Sequence, residues 1–220
     1  MLYGEGYRVA NMYELYYYSN TSASMVNLAP ESLRTTELVL EQFIRRRVRM
    51  AVSAYYTSIT DLIDQTLSDT GEVTHFNSES ARARGVEVDA EGRWSSGVLV
   101  RGSFSLQANH VAQTGEVMSN SPHQLATFQA SVPAWHRQLR LATDTTYTAW
   151  RRTAVGGRLP GYRLTNASLL YEPAGARFTA GASIYNLFDR QYSHPVGLEF
   201  VQPSIEQNGR TFAVRANVRF

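Results

Sequence analysis

Arginine and tyrosine side chains form the two local concentrations of this sequence that could bind a ligand. Three arginines share one short stretch and three tyrosines are consecutive: Arg151, Arg152 and Arg158, and Tyr16, Tyr17 and Tyr18. Guanidinium groups attract anions, and aromatic rings offer faces against which a large or charged ligand can lie. Both groups are therefore candidate ligand contacts, and their use depends on which elements position them.

The remaining polar residues give no catalytic or metal-binding pattern. The five histidines lack metal-ligand spacing: His75, His110, His123, His136 and His194. Asp61, Asp64 and Asp69 resemble a calcium loop only superficially, because the glycine and the terminal glutamate of such a loop are misplaced. Gly156 and Gly157 mark a turn, since no strand-to-helix context for a phosphate cradle surrounds them. We therefore predict no enzymatic activity, no metal and no cofactor.

Composition excludes several classes of protein. The 220 residues contain no cysteine, so neither disulfides nor thiolate metal sites exist. The formal charge of +2 is too small for a nucleic-acid surface, and all 21 basic residues are arginines spread along the chain. No apolar run approaches the roughly 18 residues of a membrane helix. Alternating membrane strands would escape a hydropathy search, so they stay possible.

Two-residue alternation dominates the sequence. The last eleven residues, 210–220, place apolar side chains on one face and polar ones on the other: Phe212, Val214, Ala216, Val218 and Phe220 against Arg215, Asn217 and Arg219. The same pattern recurs in the apolar series that starts at Val48, Val86, Val98, Ala126 and Leu139. We count about nine strands and a partial first one, each on the order of ten residues, which is the length of a tilted membrane strand.

Connections between these strands alternate in length. The short ones include 44–49, 94–98, 133–138 and 172–176, whereas the regions around 60–75, 108–121, 151–161 and 190–209 are longer. This parity is typical of an outer-membrane barrel with short periplasmic turns and long extracellular loops. The apolar faces would then meet lipid, and the arginines would face a wet lumen where carboxylates can pair with them: Glu37, Glu41, Glu87, Asp89, Glu91 and Asp144. A soluble β-sandwich is the competing interpretation.

Several stretches resemble the C-terminal half of TonB-dependent outer-membrane receptors. GYRVANMYELYY (6–17) is similar to a family segment, as are NLAPESLRTTELVLE (27–41) and SARARGVEVDAEGRW (80–94). IYNLFDRQY (184–192) resembles the family motif before the last extracellular loop, and the final aromatic resembles its assembly signal. The ordered set covers essentially the whole chain.

The resemblance implies an all-β antiparallel transmembrane barrel. Residues 1–220 would supply about ten C-terminal strands of a presumed 22-stranded plugged barrel in the Gram-negative outer membrane, and the chain would be a fragment. The implied function is active uptake of a scarce nutrient such as a ferric siderophore or cobalamin. The implied partners are outer-membrane lipid, the missing plug and N-terminal strands, the TonB–ExbB–ExbD complex, the barrel assembly machinery, and a small metal chelate or vitamin.

The resemblance also gives roles to particular residues. The three arginines and three tyrosines would contact the ligand from extracellular loops, although the tyrosines alternatively form an interfacial aromatic girdle. The family motif and assembly signal would be structural: Asn186, Leu187, Phe188, Asp189, Tyr192 and Phe220. Arg45 to Arg47 would form a solvated periplasmic rim. A self-standing small pore or adhesin barrel is the alternative function, although an isolated ten-strand sheet has two unpaired edges that hydrocarbon does not tolerate.

Overall fold

The computed structural model describes residues 1–16, 27–67, 73–78, 80–135, 138–173, 175 and 177–218. Its main feature is one antiparallel sheet of ten strands in the order β1-β2-β3-β6-β7-β8-β9-β12-β13-β16. The strands are β1 (Leu2–Arg8), β2 (Glu31–Ile44), β3 (Val48–Thr60), β6 (Ala81–Arg93), β7 (Leu99–Val111), β8 (Gln124–Ala134), β9 (Leu139–Thr148), β12 (Tyr162–Tyr171), β13 (Phe178–Tyr185) and β16 (Thr211–Val218). The expected all-β fold and the count of about ten strands are confirmed.

Three small hairpins and one short helix lie outside this sheet, all in the longer connections. The hairpins are β4 (Ile63–Leu67) with β5 (Val73–Asn77), β10 (Arg151–Arg152) with β11 (Arg158–Leu159), and β14 (Ser193–Pro195) with β15 (Ser204–Glu206). The helix is α1 (Met12–Tyr16). None of the described helices is long and apolar enough to cross a membrane. No second large sheet packs on the first within the described ranges, which excludes the sandwich interpretation.

Strand register divides the main sheet into two chemically different faces. The outer face carries apolar rows that run across neighbouring strands, such as Leu40, Val52, Val88 and Phe104. Leu40, Val52 and Phe104 are exposed, and Val214 on β16 is 85% exposed. Large apolar side chains that stay this exposed would be unfavourable in water. Burying one such side chain contributes about 1.5 to 3 kcal/mol to stability. The outer face is therefore built to meet an apolar solvent.

The inner face carries the polar partners of the same strands. Arg49 donates to Glu41 at 2.7 Å, and Glu91 accepts from both Arg93 and Arg101. Amides and hydroxyls continue this face, as Asn166 donates to Asp144 at 2.7 Å and Ser103 contacts Thr127 at 2.7 Å. Of the six carboxylates expected to pair with arginines, Glu41 and Glu91 do so on this side. The sheet is a wall between two solvents rather than one half of a packed core.

Buried residues concentrate where the longer connections meet the sheet. Ile63, Val73, Ala81 and Ala149 are the buried apolar residues, and each lies in or next to a long connection. The short connections, by contrast, lie within 45–47, 94–98, 135–138 and 172–177. Since the strands are antiparallel, the long connections share one end of the sheet. This end holds the packed structure that could form a site.

Helix α1 is fixed by local hydrogen bonds that the alternation pattern does not reveal. The Asn11 side chain accepts from the Glu14 amide at 2.9 Å, and the Glu14 carboxylate accepts from the Asn11 amide at 2.8 Å. This reciprocal arrangement is a capping box. Arg8 then joins Glu14 to Glu31 on β2, and the Glu31 carboxylate also accepts from the amide of Ile63. The network connects the first long connection to the β4–β5 hairpin.

Candidate binding site at the long-loop end of the sheet

Arg151 is a buried cation that joins three separate parts of the chain. The residue is 7% exposed, and its guanidinium donates to the Asn120 side chain at 3.1 Å and to the Ser193 carbonyl at 3.1 Å. It also lies over the Tyr162 ring, with Cζ 5.5 Å from the ring centroid. No carboxylate within the described ranges lies at ion-pair distance from Arg151. Hydrogen bonds and the aromatic face thus replace an ion pair.

Tyr162, Tyr192 and His194 form an aromatic cluster beside this arginine. The two tyrosine rings are 4.6 Å apart, and the Tyr162 hydroxyl is 3.1 Å from His194 Nε2. Burial lowers the pKa of His194, and the nearby positive charge of Arg151 lowers it further. Burial raises the pKa of Tyr192, with a smaller contribution from Tyr162. We call these four residues, Arg151, Tyr162, Tyr192 and His194, the loop anchor.

A cavity of about 340 Å³ lies beside the loop anchor, between three of the long connections. We call it the loop cavity; its lining includes Asp64, Glu116, Met118, Arg152 and Thr153. Arg152 donates to Glu116 and to the Val117 carbonyl at 3.3 Å, which fixes its guanidinium at the wall. The cavity therefore offers an oriented cation, two carboxylates and a thioether.

Thr153 gives the loop cavity an unusual polar feature. The residue is 2% exposed, and no atom of the described residues forms a hydrogen bond with its Oγ1. A buried hydroxyl without a partner costs about 1 to 3 kcal/mol. Such a group commonly marks the position of a bound water or ligand.

The four described residues among the six predicted to bind ligand do not converge on one point. Arg151 lies in the loop anchor, Arg152 at the loop cavity, and Arg158 stacks on the Trp150 ring with Cζ 3.9 Å from its centroid. Tyr16 ends α1 and is 45% exposed, whereas Tyr17 and Tyr18 lie outside the described residues. Ligand binding by these residues stays a prediction. The structure separates one buried arginine from two that lie nearer the surface.

Sequence reasoning missed Tyr162, His194 and Thr153 as members of this end of the molecule. Arg151 reaches Asn120 and Ser193 across 31 and 42 positions of the chain. No local spacing pattern encodes contacts at these separations. The only available signal was the isolated histidine next to Tyr192, which by itself is typical of a loop.

The motif residues near Asn186 form a rigid junction between β13 and the last long connection. Asn186 has a positive φ of 51° and is 5% exposed. Its side chain donates to the Arg190 carbonyl at 2.9 Å and accepts from the Arg190 amide at 2.8 Å. Asparagine suits this position because it tolerates the left-handed region and bonds to the backbone nearby.

Asp189 connects the other end of the same connection. Its Oδ1 accepts from the Arg210 amide at 2.7 Å, directly before β16 begins. A Cβ on Gly209 would lie 2.8 Å from this oxygen, so a glycine is needed there. The motif thus holds the two strand ends together, while Phe188 is 65% exposed and Phe220 lies outside the described residues.

We expect Asn186→Ala to destabilise this junction by about 1 to 3 kcal/mol, because it removes two part-buried hydrogen bonds to the Arg190 backbone and places alanine at a positive φ. Limited proteolysis within 186–210 on folded protein should become clearly faster. Phe188→Ala, in the same motif but exposed, is the matched control and should leave the cleavage rate near the wild-type value. Equal rates for Asn186→Ala and wild type would contradict a structural role.

No metal centre is visible in the part of the chain that the structure describes. No group of three or more potential metal-binding side chains lies close together there. Four of the five histidines are described, and His75, for example, is buried in β5 next to Tyr13. His136 and Asp69 lie outside the described residues. Gly156 and Gly157 lie in the turn of the β10–β11 hairpin, where Gly156 has a φ of 87°.

Comparison with known proteins gives a family-level match. A family described as "TonB dependent receptor-like, beta-barrel" matches residues 2–187. No curated protein matches the chain in sequence.

Several solved structures share the fold. The closed form of the ferric-catecholate import receptor Fiu from E. coli K12 matches with a TM-score of 0.74 at 20% identity, over 99% of this chain and 32% of Fiu. The copper transporter OprC gives 0.78 at 16%, over 99% and 36%. FpvA of P. aeruginosa, bound to an iron–pyoverdine complex, gives 0.74 at 12%, over 98% and 30%. At these identities the likeness concerns the fold, and the chain spans about a third of each structure.

Proposed function

Because this chain belongs to the TonB-dependent receptor family, whose members are non-enzymatic transporters of the Gram-negative outer membrane, we propose that residues 1–220 form the C-terminal part of the barrel wall of a nutrient receptor. The ten-stranded sheet would be completed by further strands, and its inner face would enclose a plug domain. Transport would use the TonB–ExbB–ExbD complex for energy and the barrel assembly machinery for insertion.

The loop cavity carries the proposal that this segment takes part in ligand capture. Its position between three long connections supports a location at the extracellular mouth of such a receptor. The unpartnered Thr153 hydroxyl and the fixed Arg152 cation supply a donor and a positive charge for an anionic ligand. Arg158 and Tyr16 would add contacts nearer the surface, whereas Arg151 supports the site from beneath.

The ligand class follows from charge and from the structural neighbours. The matched structures include a ferric-catecholate import receptor, a copper transporter and FpvA in complex with iron–pyoverdine. A metal chelate with both anionic and donor groups fits the loop cavity, because Arg152 and the Thr153 hydroxyl can donate to it while Asp64 and Glu116 can accept from it. We propose this class ahead of a vitamin such as cobalamin. The self-standing pore or adhesin receives no support from the open ten-stranded sheet.

Uptake by the whole receptor that contains this segment tests the proposal. In a Gram-negative host without competing receptors, we expect TonB-dependent accumulation of radiolabelled iron supplied as a catecholate or hydroxamate chelate. Thr153→Val removes the unpartnered hydroxyl and keeps the side-chain shape, so it should weaken chelate binding roughly five- to tenfold without loss of folded protein.

Thr179→Val, on β13 near the short-turn end, is the matched control and should bind as wild type does. Equal iron entry with and without TonB would instead indicate a passive pore. Unchanged binding by Thr153→Val, with uptake intact, would show that the loop cavity does not take part in ligand capture.

A further inference from the structure

Two arginines of β6 lie on the outer face of the sheet, which also carries Arg34 on β2 and Arg163 on β12. Strand register places Arg84 in one row with Thr36, Tyr56 and Ala108. Arg82 lies in the next row, towards the long connections, between Ser58 and His110. Both arginines are exposed. The rows below them on β3, β6 and β7 are apolar. Pairing with carboxylates in the lumen therefore does not explain these two arginines.

These arginines lie at the upper boundary of the apolar band. Below Arg84, the outer face of β6 continues with Val86 and Val88 and ends at Trp94 beyond the strand. The eight residue steps from Val86 to Trp94 cover ~27 Å of strand, or ~21 Å along the membrane normal at a tilt of ~40°. An apolar band of such barrels is ~25 Å tall. Arg84 and Tyr56 therefore lie where hydrocarbon gives way to headgroups.

No described carboxylate neutralises this pair. Elsewhere in the sheet, arginines such as Arg49 and Arg101 have carboxylate partners on the inner face, and Arg34 pairs with Glu5 on the outer face. Arg82 and Arg84 form no ion pair within the described ranges. Two unneutralised guanidinium groups on one strand would repel each other in a low-dielectric boundary unless an anion lies between them.

A concave surface accompanies the charge. A cavity of about 300 Å³ opens on the outer face, and its lining includes Tyr56, Arg82, Arg84, Ala108 and His110. The apolar row below it comprises Leu38, Ala54, Val86 and Leu106. A ligand seated here would contact cations at one end and hydrocarbon-facing side chains at the other.

We propose that this outer cavity binds the phosphate of a phosphorylated glycolipid in the outer leaflet. Arg82 and Arg84 would hold the phosphate oxygens by charge-assisted hydrogen bonds, for which planar guanidinium groups are well suited. Tyr56 and His110 would flank the sugar headgroup, and the acyl chains would lie along Val86 and Leu106. The occupant is a lipid, because only a lipid satisfies the cationic and the apolar parts of the surface together.

Lipid retention by the receptor that contains this segment tests the proposal. The receptor is placed in nanodiscs with phosphorylated glycolipid or with the same glycolipid after dephosphorylation, and bound lipid is quantified by mass spectrometry. We expect retention of the phosphorylated form only. Arg82→Gln with Arg84→Gln should reduce retention at least tenfold. Arg82→Lys with Arg84→Lys keeps the charge and should give an intermediate loss.

The control variant also removes two arginine charges, but at the other end of the sheet. Arg45→Gln with Arg46→Gln alters two exposed arginines in the β2–β3 turn and should retain lipid as wild type does. Equal retention by wild type and the Arg82→Gln, Arg84→Gln variant would overturn the proposal. So would equal binding of the dephosphorylated lipid, or complete displacement by millimolar inorganic phosphate, which would indicate a site for a free anion.

Discussion

Val52→Arg should destabilise the inserted receptor by about 2 to 4 kcal/mol, whereas Ser53→Arg should change its stability far less. Val52 lies on the outer face, in the row of Leu40, Val88 and Phe104, and its side chain has no polar neighbour in that row. An arginine there would face hydrocarbon near the middle of the apolar band. The cost would be the desolvation of a charge that nothing nearby can neutralise.

Ser53 is the matched control because it is the next residue of the same strand and faces the other solvent. It lies opposite Glu87 on β6, and the Glu87 carboxylate already accepts a hydrogen bond from Ser105. An arginine at this position can pair with Glu87 in the wet lumen. The two variants add the same side chain one residue apart, so their difference reports only which face meets lipid.

Denaturant titration of the receptor refolded into lipid vesicles measures this difference. The Val52→Arg midpoint should shift strongly to lower denaturant, and the Ser53→Arg midpoint should stay near that of wild type. Similar losses in both variants, or a larger loss for Ser53→Arg, would contradict the assignment of the outer face to lipid.

Strand number and facing could be predicted because both follow from local alternation. In β16, Phe212 and Val214 lie on one face and Arg215 on the other, as a two-residue period requires. The exposed apolar residues of this strand are those that the alternation predicts. The alternation of short and long connections could likewise be predicted from the spacing of the strands. These properties depend on nearest neighbours along the chain, which explains the agreement.

The site could be predicted only in part, because it depends on contacts between distant segments. Arg151 is one of three similar arginines in sequence, yet it alone is buried, since it meets Asn120 and Ser193 from two other connections. Helix α1 was also missed, because a capping box at Asn11 and Glu14 outweighs the strand-like appearance of its tyrosines. The outer arginines Arg82 and Arg84 ran against the expectation that arginines face the lumen.

Arg151→Gln should disrupt the loop anchor at a cost of roughly 3.5 to 7 kcal/mol to the local packing of the long connections. It removes two hydrogen bonds from a charged donor, each worth about 1.5 to 3 kcal/mol, and a cation–π contact worth about 0.5 to 1. Hydrogen exchange of backbone amides in 112–123 and 193–206 should accelerate together, because Arg151 is the link between them. Acceleration in neither segment would show that the link is dispensable.

Arg158→Gln is the matched control, since Arg158 is exposed and its described contact is the Trp150 ring. It should leave exchange in both segments near wild type, with a local effect of about 0.5 to 1 kcal/mol. A comparable loss in both variants would mean that general loop charge, rather than the buried link, holds the connections together.

His194 supplies a pH readout of the loop anchor. Because its pKa is lowered in the folded state by burial and by Arg151, the folded form binds fewer protons than the unfolded form below about pH 6.5. The stability that this histidine contributes is therefore complete above that pH and is lost as the pH falls. In Arg151→Gln one cause of the shift is gone, so the pKa of His194, followed by NMR, should rise and the acid-dependent loss should shrink. An unchanged His194 titration would show that Arg151 does not influence the pKa of His194. Burial against the aromatic rings would then account for the shift.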